Sequence, residues 1–522
     1  MPDEVLLTGD ALRPEDVVAV AERRAAARLG SGVAARMAPA RRLVEEAVRE
    51  GRVVYGVTTG FGALANTRID PAQADQAQVA LLRSHASGVG PPLPDPLVRA
   101  MLLLRARTLA QGHSGVRVEI VERLLDLLRL DLLPVVPGQG SVGASGDLAP
   151  FAHLALPLIG EGQLRSGGRA RPAAEVLAAH GLTPVTLRAK EGLSLLNGTE
   201  GMLAHGVLSL HRARRLAEAA DLACALSVEA LLGSVRPFDP RLHALRPHPG
   251  QVESAAALCR FLAGSGIVAS HRASGHAVQD AYSLRCAPQV HGAARDVLGY
   301  ADGVFAIELG SVVDNPIVLP EAGEVLSGGN FHGQPLAFAL DFTAIAVTEL
   351  SSISERRTDR ILDPERSSGL PPFLATRPGL NSGYMITQYV AAALVAENRV
   401  LCHPASVENI PTSGSQEDHV SMGWGAARKL GEVLGNAARV LAVEVLCACS
   451  GIEYRRPLAP AGGTGAALAA VRAVVPPLVD DRSPAPDIEA VAAIIEDGTL
   501  VGAAAGAADG VRWGATTQED RQ

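Results

Sequence analysis

The chain has 522 residues, 48% hydrophobic and 20% charged, so a large buried core is available and the composition argues against disorder. A formal net charge of −8 gives no electrostatic footing for nucleic acid or for an anionic membrane surface. Aromatics are only 3%, which leaves Ala, Leu and Val to build the core and suits closely approaching helices.

Taken in chain order, Met1-Pro2-Asp3-Glu4 is acidic where a secretory signal would be basic, and no apolar run follows it. A cytoplasmic location is expected. Three glycine-dense segments then stand out: Tyr55 to Gly62, Pro137 to Gly146, and Glu191 to Gly198. Beyond them the pattern becomes long and helical. Leu203, Val207, Leu210, Ala213, Ala217, Ala220 and Cys224 recur at spacings of three and four, marking one apolar helix face. Similar runs cover about 337–362, 384–402 and 417–452, the last carrying Leu430, Val433, Leu434, Ala437, Val440 and Leu441 on one stripe.

Such helices, with no comparable series of alternating strands, predict a mainly α fold: an elongated long-helix bundle with a smaller N-terminal region. The expected divisions are 1–200 for the N-terminal active-site region, 201–457 for the central bundle, and 458–522 for a C-terminal helical or irregular tail packing on it. No membrane span is expected, because Asp341 and Glu444 interrupt the most apolar stretches. Six cysteines, at 224, 259, 286, 402, 447 and 449, form no CxxC and read as reduced, mostly buried thiols. No metal is expected.

The most informative stretch is Gly140-Ser141-Val142-Gly143-Ala144-Ser145-Gly146-Asp147-Leu148-Ala149-Pro150. Gly138, Gly140 and Gly143 spell GxGxxG, a dinucleotide fingerprint that needs a strand before it and a helix directly after it. Pro134 and Pro137 are expected to spoil that strand, and Ala-Ser-Gly follows where a helix should start. The same residues have a chemical reading. The Gly146 nitrogen could attack the Ala144 carbonyl carbon to close a five-membered ring, unhindered by a Cβ at Gly146. Loss of two waters, one taking the Ser145 hydroxyl, would leave an exocyclic methylidene. Asp147 is expected to cap the following helix, whose positive end would draw electrons from the ring, and Pro150 fits an early helical turn.

The triplet resembles the signature of the aromatic amino acid ammonia-lyase family, in which Ala-Ser-Gly becomes 4-methylidene-imidazol-5-one (MIO). Further segments match in order: Tyr55-Gly56-Val57-Thr58-Thr59-Gly60-Phe61-Gly62, Lys190-Glu191-Gly192 through Asn197-Gly198-Thr199, and Gln279-Asp280-Ala281-Tyr282-Ser283-Leu284-Arg285-Cys286. Asp314-Asn315-Pro316, Gly329-Asn330-Phe331-His332 and Gln416-Glu417-Asp418-His419-Val420-Ser421-Met422 complete the series. The resemblance implies a fumarase/aspartase-like helical homotetramer whose active sites draw residues from three subunits, with the loops bearing Tyr55 and Arg285 meeting Ala144–Gly146 across interfaces. It also implies an elimination of ammonia from an amino acid. MIO would take the amine covalently, Tyr55 would act as the base at Cβ, and Tyr282 would orient it.

Arg285 would bind the substrate carboxylate through its planar fork. Asn197 and Gln279 are similar to residues that hydrogen-bond the ring and the amine region, and Phe331 to the aromatic residue beside it. Ser84-His85 and Gln416-Glu417 resemble the pairs of histidine-specific members, which implies L-histidine as substrate and urocanate as product, at the first step of histidine breakdown. An imidazole brings polar nitrogens that His85 and Glu417 could satisfy, whereas a phenyl ring would leave Glu417 unpaired. A bland role also stays open for Glu417, as an acidic residue opening a helix after Ser415 with Asp418 completing a capping box.

Ala281, Ala287, Glu200 and Gly333-Gln334 depart from the commoner pattern without removing a catalytic group. The alternatives are a tyrosine or phenylalanine lyase or aminomutase on the same scaffold, a fumarase-type lyase, a relative that has lost catalysis, and a nicotinamide-dependent oxidoreductase. The Gly-Ser-Ser…Met-Pro loop of the fumarase type is missing, and retention of Tyr55, Ser145 and Arg285 together argues against lost catalysis.

Overall fold

Long unbroken runs of Ala, Leu and other good helix formers dominate what the chain becomes. A computed structural model describes residues 4–271 and 278–508, and is mainly α, with twenty α-helices among those residues. The expected apolar stripes lie on Glu200–Ala230, Gln334–Leu362, Met385–Leu401 and Gly423–Glu453. Every residue of the two stripes named above, from Leu203 to Cys224 and from Leu430 to Leu441, is buried. The polar end of the expected C-terminal tail, 509–522, lies outside the described residues.

Among the described residues strands are few, in four sheets of two or three strands each. Two of them correct the expectation around the glycine-rich stretch. Pro134 and Pro137 do not abolish strand structure but confine it to Leu133–Pro134 and Pro137–Gln139, each in an antiparallel pairing. A βαβ unit needs a parallel pair, so the GxGxxG has no dinucleotide-binding frame.

Two compact units are formed. One comprises the chain through Leu208 with Asp302–Asp341 and Pro404–Arg428; the other comprises Ser209–Ala301, Phe342–His403 and the chain from Lys429. By length and composition alone, Gln334–Leu362 and Gly423–Glu453 are apolar enough to cross a membrane, which corrects the expectation that their charges cut them short. The helices run straight through those charges because each is buried with partners. Asp341 accepts the Ser406 N–H at 2.8 Å. Glu444 takes Arg357 Nη2 at 2.8 Å and the Ser227 hydroxyl at 2.6 Å.

Arg357 also donates to the carbonyl of Ser283 at 3.3 Å, which ties the short Tyr282–Arg285 helix to the buried ion pair. A buried pair contributes little net, but breaking it strands a charge. Arg357→Met should therefore lower the unfolding free energy by about 3–5 kcal/mol. The double variant Arg357→Met/Glu444→Leu should recover most of that loss in the same denaturant titration.

Candidate active site

In the first unit a cavity of about 500 Å³ collects five of the singled-out residues. Its lining includes Tyr55, His85, Ser145, Asn197 and Glu417, which come from five separate stretches of chain. One wall is a helix face. Ala77, Ala80, Leu81, Ser84 and His85 lie at helical spacing on Ala74–His85, with small residues leaving the space and the polar pair at the C-terminal end.

The Ala144–Gly146 triplet sits against Asn197 and Gly198. Gly146 bridges to Gly198, and the Asp147 N–H donates to the Gly198 carbonyl at 2.8 Å. Gly146 has φ +68, and a Cβ there would stand 2.0 Å from the Gly198 oxygen, so only glycine fits. The Ser145 hydroxyl donates to Asn197 Oδ1. The Asn197 amide nitrogen donates in turn to the Asn315 carbonyl at 2.9 Å and to Asp314 Oδ1 at 3.3 Å. Asp314 is buried against Lys190, 2.8 Å away. Burial opposes ionisation of Asp314, but Lys190 and Arg105 outweigh it and hold the carboxyl below the usual range.

Asp147 differs from its expected role. Its side chain does not cap the helix Leu148–Ala155 that follows it. It accepts instead from the Met202 N–H at 2.7 Å, in the first turn of Glu200–Ala230. Burial pushes its carboxyl well above the usual range. Pro150 does fall in the first turn of its helix, as expected.

On another wall, Tyr55 lies in the glycine-flanked loop and its phenol oxygen accepts the Gly62 N–H at 3.1 Å. Tyr55 and Ser145 line one cavity of a single chain, so the Tyr55 loop needs no subunit boundary to reach the triplet. That corrects the expectation for this loop.

His85 is a neutral ring. Burial pulls its pKa below the ordinary imidazole value, only partly offset by the Leu81 carbonyl and by Glu417. Nδ1 lies 3.0 Å from that carbonyl, which can only accept, so the proton sits on Nδ1 and Nε2 is left as an acceptor.

Glu417 is not at a helix start. It bridges antiparallel to Thr412, Ser415 has φ +64, and the next helix opens only at Gly423. This removes the helix-dipole role and the capping box as reasons for its charge. Thr412 Oγ1 donates to Glu417 Oε2 at 2.7 Å, and Ser413 Oγ accepts the Ala63 N–H at 3.0 Å, fastening this loop to the one bearing Tyr55.

Six singled-out residues are not among those lining the cavity, two of them Ala144 and Gly146 on either side of Ser145. Gln279, Tyr282 and Arg285 belong to the second unit, and Phe331 belongs to the first. The Arg285 guanidinium lies 4.5 Å from the centre of the Tyr282 ring, and its buried Nε has no hydrogen-bond partner among the described residues. Sequence reasoning gave no role to Lys190, Asp314, Thr412 or Ser413. Lys190 and Asp314 stood inside quoted motifs, while nothing in the local sequence singled out Thr412 or Ser413.

The profile described as aromatic amino acid lyase matches residues 12–473. The chain belongs to the aromatic amino acid lyase family. As a member it is a carbon–nitrogen lyase. It is 52% identical over 501 residues to the histidine ammonia-lyase of Gloeobacter violaceus, covering 96% of this chain and 97% of that one. Among solved structures it is similar to the histidine ammonia-lyase of Trypanosoma cruzi, with TM-score 0.88, 42% identity, and coverage of 96% and 95%. It is similar also to the tyrosine aminomutase of Streptomyces globisporus, with TM-score 0.91, 41% identity, and coverage of 97% and 99%. This family fold therefore accompanies more than one substrate, and substrate choice must be read from the cavity.

The geometry makes one strong demand on the triplet. Gly146→Ala should lose at least about 1–3 kcal/mol of stability, because both its positive φ and the Gly198 carbonyl oppose a side chain. Denaturant unfolding of the variant beside Gly143→Ala, where φ is +72 but the nearest atom is the Ser421 hydroxyl, should show the larger loss at Gly146.

Proposed function

We propose that the chain eliminates ammonia from L-histidine to give trans-urocanate, as a histidine ammonia-lyase acting in the cytoplasm and opening histidine breakdown. The observation that carries the reading is the pair of acceptors, His85 Nε2 and the Glu417 carboxylate, lining the cavity that also holds Ser145 and Tyr55. As an imidazolium the ring of L-histidine supplies two N–H donors for this pair of acceptors, where a phenol supplies one donor and a phenyl ring none. An unpaired Glu417 beside a phenyl ring would weigh strongly against that substrate. Thr412 already satisfies one Glu417 oxygen, so the other remains for the ligand.

The triplet fits the prosthetic group proper to this family, MIO formed from Ala144, Ser145 and Gly146. A cradle that a Cβ would fill stands at Gly146, and the Ser145 hydroxyl is held by Asn197. Once formed, the group supplies an electrophile for the substrate amine. The remaining work falls to side chains. Tyr55, whose phenol oxygen is held by the Gly62 N–H, takes the β-proton. The electron pair of the broken C–H bond becomes the new Cα–Cβ double bond, and ammonia leaves from Cα. His85 and Glu417 hold the ring in register with Tyr55, and Asn197 holds the triplet.

Arg285 binds the carboxylate, with Tyr282 orienting Tyr55, Gln279 near the amine and Phe331 near the triplet. These four join the cavity from neighbouring subunits of a homotetramer. Support for that comes from their absence from the single-chain lining and from the unpartnered Arg285 Nε.

Substrate identity is tested at Glu417. Glu417→Gln keeps size and removes charge, so kcat/KM for histidine should fall roughly 10- to 150-fold, the equivalent of losing a charge-assisted hydrogen bond of about 1.5–3 kcal/mol. Thermal unfolding should move little, since no helix start is involved. Unchanged kinetics, or a wild-type protein that prefers tyrosine to histidine in a substrate panel, would overturn the reading. Shared sites are tested by mixing. Tyr55→Phe and Arg285→Ala chains, each nearly inactive, should regain partial activity on co-assembly; verified mixed oligomers without any regain would count against it.

A further inference from the structure

We propose that Lys190 and Asp314 are positioning residues that aim the Asn197 side-chain amide at Ser145, and that this aim is required for Ser145 to lose its hydroxyl. The inference rests on the reading of Ala144–Gly146 as a self-cyclising triplet.

An asparagine amide has an acceptor end and a donor end of nearly equal shape, so its surroundings decide which end faces which neighbour. At Asn197 the decision is made on the side away from Ser145. The amide nitrogen faces two acceptors, the Asn315 carbonyl at 2.9 Å and Asp314 Oδ1 at 3.3 Å. Turning the amide over would set its oxygen against both of them. Oδ1 is thereby left facing Ser145, whose hydroxyl donates to it. The backbone is fixed as well, since Arg105 Nη1 donates to the Asn197 carbonyl at 2.8 Å.

Asp314 can act this way only as a carboxylate. A protonated Asp314 could offer a donor of its own and would no longer exclude the flipped amide. The charge is kept by Lys190, whose Nζ donates to Asp314 Oδ2 at 2.8 Å and to Ser194 Oγ at 2.9 Å, with all these side chains fully buried. The Ser194 hydroxyl lies 3.0 Å from the same Asp314 oxygen. The Asn315 N–H donates to Asp314 Oδ1 at 2.7 Å, so this oxygen too is held in place. Lys190 itself has φ +71, an unusual conformation for a lysine, which brings its backbone to the start of the helix Glu191–Leu196 that ends at Asn197.

The chemistry that needs this arrangement is balanced as follows. The Gly146 nitrogen bonds to the Ala144 carbonyl carbon, and that carbonyl oxygen leaves as water with the hydrogens of the Gly146 and Ser145 nitrogens. The Ser145 Cα hydrogen and the Oγ hydroxyl then leave as the second water, and a Cα–Cβ double bond forms. This second loss depends on the direction of the Cβ–Oγ bond, which a held hydroxyl keeps in one rotamer.

The test is intact mass, followed over time during cell-free synthesis and read only on folded protein. Wild type should become about 36 Da lighter than the translated chain, for two waters. If it does not, the triplet reading fails, whatever the variants do. In Lys190→Met/Asp314→Asn no buried charge is left unpaired, yet the amide nitrogen keeps only the Asn315 carbonyl as a fixed acceptor and loses the carboxylate that excludes the flipped amide. Folded double variant should keep the Ser145 hydroxyl, accumulating as chains about 18 Da lighter or at full mass, at least half the population when wild type is complete.

Ser194→Ala is milder and guards against a double variant that fails to fold. It loosens the pair without breaking it, and its mass loss should be at least threefold slower than wild type. A merely structural pair would lower the unfolding midpoint and leave the mass of folded chains unchanged. Complete mass loss at the wild-type rate in the folded double variant would overturn the inference, as would an unchanged rate in Ser194→Ala should the double variant not fold.

Discussion

The contact between Gly146 and Gly198 leaves Gly146 less room for a side chain than any other described glycine has. With only 2.0 Å between a hypothetical Cβ and a backbone oxygen, two stretches some fifty residues apart in sequence are pressed together without side chains between them. This brings Ser145 to Asn197 and puts Asn197 within reach of Asp314 and Lys190. The glycines around the triplet thus serve approach as much as bending. At Gly143 and Gly146 a positive φ and a close neighbour coincide, so the segment has little freedom to relax away from Asn197.

A chain this rich in Ala, Leu and Val meets the cost of burying charge by pairing it. Lys190 with Asp314, Arg105 with Glu200, and Arg357 with Glu444 are all fully or almost fully buried. Such pairs are weak sources of net stability but strong sources of direction, because each leaves very few tolerated orientations for the dipoles beside it. In the first unit the directed group is the Asn197 amide, and in the second it is the backbone of the Tyr282–Arg285 turn. Glu200, a departure from the commoner pattern, becomes intelligible here as the partner of Arg105, whose other nitrogen holds the Asn197 carbonyl.

Substrate choice has a different physical basis. Two of the side chains that line the cavity, His85 and Glu417, are oriented by neighbouring groups. The Leu81 carbonyl sets the tautomer of His85, and Thr412 holds one oxygen of Glu417. The Ser413–Ala63 hydrogen bond ties the loop that carries Glu417 to the loop that carries Tyr55, so the two residues proposed for recognition and proton removal share one mechanical element.

Much of this was legible in the sequence, because helix periodicity and the Ala144-Ser145-Gly146 chemistry are local properties. The buried stripe from Leu203 to Cys224 follows from spacing alone, and the need for glycine at 146 follows from the reaction it would undergo. Tyr55, His85, Asn197 and Glu417 were singled out through motifs, and they do share a cavity. Other features depended on where distant segments fall. The return of Asp302–Asp341 and Pro404–Arg428 to the unit that holds the triplet is invisible in a linear pattern. With it come Asp314 behind Asn197, and Thr412 beside Glu417. Asp147 looked like a cap for its own helix, yet it satisfies Met202 more than fifty residues away, because a buried carboxyl takes whichever N–H the packing brings. Glu417 looked like a helix opener, but a bridge to Thr412 and the left-handed Ser415 delay the helix to Gly423. The sequence determined which residues could do the chemistry, since reactivity belongs to residue types at short spacing. Only the tertiary structure decided which dipoles and charges stand behind them, since orientation belongs to partners far along the chain.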